Sequence, residues 1–203
     1  MYTPKHFQVT DKQQAINFIK KYSFASMVTL LNGVPEATHL PFVVEQRGAE
    51  VVLLSHFAKA NPQVNAIEHE TSLVIFTEPH AYISPKNYEK VTNVPTWNYI
   101  AIHAYGNAKL IKEEAAVAAL LTKTIGTYEQ DYLKQWNGLP DDYRSKMMNG
   151  IVAFELLITD LQAKFKLSQN RSEAEQHNII NNLGHSSEAN EKEITAFMQQ
   201  LKH

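Results

Sequence analysis

Asn32-Gly33 lies between two runs rich in Val, Thr and Leu, at residues 24–31 and 35–44. A two-residue hairpin turn needs positive φ at both central positions, and Asn followed by Gly accepts that at the least cost. The flanking runs must then pair antiparallel. Arg47-Gly48 marks a second turn, followed by a strand-like run at residues 50–56. Further strand-like runs occupy residues 72–77, 81–84, 97–111 and 150–161.

The helical signals lie around these strands. Ala15, Ile16, Phe18 and Ile19 form an apolar stripe over residues 11–22, with Thr10 or Asp11 as cap. Asn61-Pro62 looks like a capped helix start, with a helix running to about residue 70. Residues 85–95 read as a polar loop. Residues 112–136 read as a helix or helix pair broken near Gly126, and residues 141–148 as another short helix. Two amphipathic helices close the chain, at residues 171–183 and 190–201. In the second, Ile194, Phe197, Met198 and Leu201 lie at i, i+3, i+4 and i+7.

Hairpins dominate, and no regular β-α-β alternation occurs. The expected class is mostly β with α (α+β): an antiparallel barrel with peripheral helices and a C-terminal helical tail. The 203 residues suit one domain, with the barrel over about 20–165 and a helical extension over 171–203. At 44% hydrophobic and 20% charged, the chain can build a real core.

Composition narrows the function classes. The formal net charge of -2 gives no basic surplus of the kind a dedicated DNA-binding domain carries. There are no cysteines, so disulfides, thiolate metal sites and cysteine nucleophiles are excluded. The nine histidines show no HExxH spacing, and no metal is expected. No signal peptide or membrane-spanning run is visible, and a cytoplasmic location is expected.

Four segments carry candidate chemistry. Residues 55–63, SHFAKANPQ, join a strand end to a helix start. Free amides at a helix N-terminus favour an anion, and Ser55, His56, Lys59 and Asn61 add donors or charge. An ordinary capped helix with a surface lysine is the plainer alternative. In residues 37–42, ATHLPF, the proline implies an edge strand or bulge whose backbone is open to a ligand. Tyr82-Ile83-Ser84-Pro85 and residues 94–99, VPTWNY, offer aromatic surfaces suited to a planar ring, or to core packing. Residues 164–171, KFKLSQNR, are dense in donors and suit an anion or a flavin ring edge, or form a solvated turn.

Taken in order, the opening MYTPKHF, ATHLPF, AKANPQ, HAYISP, VPTWNY, IHAYG and KLSQNR resemble the PaiB family of FMN-binding negative transcriptional regulators. The resemblance spans nearly the whole chain. It implies the split barrel of pyridoxamine phosphate oxidase-like proteins, a homodimer, and FMN in a cleft at the subunit interface. By that likeness Ser55, His56 and Lys59 face the phosphate, and Asn61 is also expected to bind the cofactor. Thr38, His39 and Leu40 line the isoalloxazine through strand backbone. Trp97, Asn98 and Tyr99 close the pocket, and Lys166, Ser168, Gln169 and Arg171 supply further polar contacts. The chain departs from the family pattern at Ser55, where glycine is frequent, at Lys86-Asn87-Tyr88, and at Phe165, where tryptophan is usual.

The implied function is regulatory or sensory, in transcriptional repression. Direct DNA binding is disfavoured, because the C-terminal helix pair carries Glu173, Glu175, Glu188, Glu191 and Glu193. An FMN-dependent oxidoreductase or flavin reductase is the alternative, since flavin carries its own chemistry. No residue is marked as catalytic. Haem handling is a third possibility.

Overall fold

Asn32 and Gly33 both have positive φ, 54° and 78°, and close a tight turn between Phe24–Leu31 and Val34–Pro41. The computed structural model describes residues 1–201. In chain order the elements are β1 (Gln8–Val9), α1 (Lys12–Lys21), β2 (Phe24–Leu31), β3 (Val34–Pro41), β4 (Val43–Arg47) and β5 (Glu50–Ala58). There follow β6 (Ser72–Phe76), β7 (His80–Ile83), β8 (Thr96–Ile111), α2 (Glu114–Tyr128), α3 (Tyr132–Asn137) and α4 (Asp141–Met148). The chain ends with β9 (Ile151–Lys166), α5 (Glu173–Gly184) and α6 (Ala189–Gln200).

The strands form one antiparallel sheet in the order β3-β2-β6-β8-β9-β5-β4, with β1 added to β9 and β7 to β8. The class is therefore α+β, as expected. The chain divides into two compact units. The first holds Met1–Ala15, Thr77–Ile102 and everything from Gln162 onward. The second holds Ile16–Phe76 and His103–Leu161.

The second unit is built on the β2–β3 and β4–β5 hairpins. Its core is aromatic: Phe57 stacks on Phe154 at 4.9 Å between centroids, and Phe42 meets Phe76 edge-on at 5.9 Å. All four phenylalanines are fully buried, each contributing about 1.5–3 kcal/mol by leaving water. Gly106 marks the close approach of β8 to β9. A Cβ there would collide with the Leu157 carbonyl oxygen and the Leu156 side chain. The first unit packs α5 and α6 through Ile179, Leu183, Ile194 and Met198.

Four local expectations need correction or sharpening. The run at 35–44 is two strands, because the backbone turns at Phe42, whose N–H donates to Ser23 O at 2.9 Å. The helix expected from Asn61 to about residue 70 is only a 3-10 turn, Pro62–Asn65, followed by further turns. Its cap forms as read, but the bonds run three residues back, as in Ala66 N–H to Gln63 O at 3.0 Å. Burial of Gln63, Ala66 and Ile67 sets this tighter winding. The α2–α3 break, expected near Gly126, falls just after Tyr128. The Tyr128 hydroxyl lies 2.6 Å from Ser23 Oγ and donates to Phe42 O at 3.2 Å. Last, β9 runs to Lys166, well past residue 161, so Lys164 and Lys166 are strand residues. Among the described residues no helix is long and apolar enough to cross a membrane.

Candidate functional site

The expected site residues fall into two groups, one in each unit. In the second unit, β3 ends the sheet order, so one side of its backbone lacks a ladder neighbour in that order. Its side chains alternate. Thr38 and Leu40 point towards the interior, and His39 points out. His39 faces its cross-strand neighbour Ser26, with Oγ and Nδ1 2.8 Å apart, and its ring stacks beside exposed Phe24.

Thr38 and Asn61 are brought together. Asn61 Nδ2 donates to Thr38 Oγ1 at 2.9 Å, and Asn61 Oδ1 accepts from the Gln63 N–H at 2.9 Å. The Thr38 hydroxyl donates to Gln63 Oε1 at 2.7 Å. Gln63 Nε2 then donates to Met27 O at 3.1 Å and to Thr29 Oγ1 at 2.9 Å. Thr29 Oγ1 lies 2.7 Å from Ser72 Oγ. A buried polar chain thus pins the 59–63 turn onto β2 and β3. Gln63 is its hub and was missed in the sequence, where nothing separates it from an ordinary helix-start glutamine.

Ser55 does not present a free donor. It is 2% exposed, and its hydroxyl donates to Pro41 O at 2.7 Å. His56, on the opposite face of β5, is half-buried, and burial pushes its imidazole below the ordinary value. Lys59 is exposed, with its backbone N–H held by Gly150 O at 2.9 Å. A four-residue 3-10 turn has little macrodipole, and both polar ends of the Asn61 side chain are engaged, so the turn offers an anion little beyond the exposed Lys59 ammonium.

In the first unit, Trp97 is half exposed and meets Tyr82 edge-on at 5.8 Å and His80 at 5.9 Å. Asn98 is fully buried, accepts from Ser168 Oγ at 3.0 Å, and donates to Met198 Sδ at 3.5 Å. Lys164 and Lys166 lie over the Tyr99 ring at 5.1 and 5.9 Å. Lys166 donates to Thr96 Oγ1 and to Trp97 O. Ser168 has φ 63°, a left-handed turn that Gln169 closes by accepting from the Leu167 N–H at 2.8 Å. Arg171 stacks on the Tyr88 ring at 3.9 Å and donates to Asn93 Oδ1 at 2.9 Å.

Some of these residues line a cavity of about 190 Å³, bounded by Phe7, Thr96, Asn98, Lys166, Ser168 and Arg171 among others. Burial lowers the Lys166 pKa first, and the neighbouring Lys164 and Arg171 charges lower it further. Lys164 belongs to this group and was also missed. Its alternation with Lys166 along one strand face was the available signal. Among the described residues no three His, Asp or Glu side chains converge on a metal position. His203, one of the nine histidines, lies outside the described residues.

The family model described as "Putative FMN-binding domain" matches residues 1–160, and the chain belongs to that family. Its cofactor is FMN. The chain is 39% identical over 202 residues to "Protease synthase and sporulation protein PAI 2" of Bacillus subtilis, covering 98% of this chain and 97% of that protein. Its fold is shared with the flavocytochrome Anf3 from Azotobacter vinelandii, at TM-score 0.63 and 18% identity, over 81% of this chain and 72% of that one. An FAD and heme binding protein from Mycobacterium smegmatis shares it too, at TM-score 0.60 and 16% identity, over 78% and 73%. The donor sets fit such a cofactor. An exposed ammonium suits a phosphate, and the terminal strand β3 offers backbone groups to a flat polar ring.

Proposed function

We propose that this protein is an FMN-binding regulator of the PaiB type, acting in transcriptional repression. The observation that carries this is the 39% identity across essentially the whole chain to the Bacillus subtilis sporulation protein. In this reading Lys59, Asn61 and His56 hold the phosphate, with Ser55 shaping the corner behind them. Thr38, His39 and Leu40 present the β3 edge to the isoalloxazine. Trp97, Tyr99 and Gln169 supply further polar and aromatic surface, while Asn98, Lys166, Ser168 and Arg171 line the small cavity of the first unit.

Bound FMN supplies reversible hydride and electron chemistry, and the protein's part is to bind, orient and shield it. Regulation is indirect. The helices α5 and α6 carry Glu173, Glu175, Glu191 and Glu193, which repel DNA phosphates. The working form is a cytoplasmic homodimer with FMN at the subunit interface. The exposed Phe24, Leu30 and Val34 of one unit, and Tyr82, Val94 and Trp97 of the other, support burial against a second copy.

Two measurements test this. Purified protein is expected to show the oxidised-flavin spectrum and to sediment as a dimer. Transcripts compared with and without the gene should reveal a derepressed set, with no gel shift on the corresponding upstream DNA at low salt. An unchanged transcript profile overturns the regulatory reading. The cationic cavity in the first unit favours a second reading, an FMN-dependent oxidoreductase. Oxidation of NADH or NADPH by the FMN-loaded protein would establish it.

A further inference from the structure

The cavity of the first unit holds more positive charge than its neighbours balance. Lys166 is held by two neutral oxygens, Thr96 Oγ1 and Trp97 O. Lys164 is buried, and its ammonium donates to Tyr2 O at 3.4 Å. Arg171 approaches a carboxylate only at 3.8 Å, from Glu175. That carboxylate also accepts the Glu89 N–H at 3.1 Å, and Glu89 in turn accepts from Ser172. Among the described residues, only Arg171 of these three cations faces a carboxylate, and that carboxylate is already partly engaged. An arrangement of this kind is unfavourable unless an anion completes it.

The surroundings are built rather than incidental. Asn98 is fully buried and holds Ser168 Oγ. The left-handed Ser168 turns the chain so that Lys166 and Arg171 line the same cavity. Tyr88 and Asn93 fix the Arg171 guanidinium, whose planar fork matches an oxyanion. A volume of about 190 Å³ is below the roughly 300–1,000 Å³ of pockets that enclose a drug-sized ligand. It suits a phosphate, sulfonate or carboxylate group and excludes an isoalloxazine. Lys164, Lys166, Ser168 and Arg171 also lie beyond the residues matched by the FMN-binding family model.

We propose that this cavity is an oxyanion site, separate from the one holding the FMN phosphate, which receives the anionic group of a second ligand. The proposal rests on the reading above, in which Lys59 and Asn61 hold the FMN phosphate.

The test uses the full chain loaded with FMN and titrated calorimetrically with sodium sulfate against sodium chloride of equal ionic strength. One saturable site is expected, with FMN retained by absorbance. Arg171→Met and Lys166→Met should each weaken sulfate by about tenfold or more, and Lys59→Met should leave it unchanged. Arg171→Lys keeps the charge without the fork, and should weaken sulfate with the melting temperature preserved. No saturable sulfate on loaded or FMN-free protein overturns the proposal alone. Sulfate binding only to the FMN-free form, with FMN itself weakened by Arg171→Met, overturns both this proposal and the assignment of the phosphate to Lys59. Sulfate on the loaded protein with FMN affinity indifferent to Lys59→Met supports the oxyanion site while removing Lys59 from the phosphate.

Discussion

Gln63 Nε2 donates to Thr29 Oγ1 at 2.9 Å, while Gln63 Oε1 accepts from Thr38 at 2.7 Å. One fully buried side chain thus joins the 59–63 turn to both strands of the β2–β3 hairpin. Gln63→Leu keeps the approximate volume and removes every side-chain hydrogen bond. It should destabilise the fold by about 2 kcal/mol, since Thr29 and Thr38 lose partners in a buried setting. The melting temperature should fall by about 4–8 °C. Urea unfolding checks this, and a change within experimental scatter would show the network to be energetically idle.

Gly106→Ala should be more damaging than its size suggests. The added Cβ meets the Leu157 carbonyl, which belongs to the β9 backbone and cannot swing away. Separating β8 from β9 should cost about 1–3 kcal/mol or more. Lower soluble yield and an earlier thermal transition are the expected readouts, and wild-type stability would refute the close approach.

Stability should decline on mild acidification. Burial lowers the His56 pKa below its ordinary 6.5 in the folded chain. The unfolded chain therefore takes up the proton first, and stability drops as pH falls from about 6.5 towards the folded value. Above that window the His56 contribution is level. His103, lowered chiefly by burial, acts in the same direction. His56→Gln should flatten part of the slope in denaturation midpoints between pH 5 and 7.5; an unaltered slope would remove His56 as its source.

Lys59 has a backbone fixed by Gly150 and a side chain free to meet a ligand. Lys59→Ala should weaken FMN by about tenfold or more, the loss of one charge-assisted contact, with stability unaltered. Flavin fluorescence quenching gives the affinity. Equal affinity in both proteins would take Lys59 out of the phosphate site.

Arg47 joins Glu45 and Glu155, both at 2.7 Å, and Lys123 pairs with Glu45. Arg47 and Lys123 are nearly half exposed, so Arg47→Ala should cost no more than about 1 kcal/mol, and less in high salt. A larger, salt-insensitive loss would mean the network is shielded from solvent.

Much of the strand pattern was readable because the relevant forces are local. Asn32-Gly33 accepts the positive φ of its turn wherever it occurs, and β2 begins and ends as read. Asn61 caps its turn as its side chain dictates. The helix beyond it failed to form because Gln63, Ala66 and Ile67 are drawn inwards, a demand set by other parts of the chain. The break after Tyr128 likewise depends on Ser23 and Phe42, more than eighty residues away in sequence.

The sequence by itself determined the antiparallel class, the family and FMN, since turn chemistry and a full-length motif series need no coordinates to be recognised. It also placed Thr38, Asn61, Lys166 and Arg171 among the residues worth watching. Only the tertiary structure decided what each side chain does. Ser55 is turned inwards to Pro41 O, Gln63 becomes a hub, and Lys166 and Arg171 line one small cavity with Lys164 close beside Lys166. Hydrogen bonding and charge balance depend on distances between residues remote in sequence, and those distances exist only once the chain has folded.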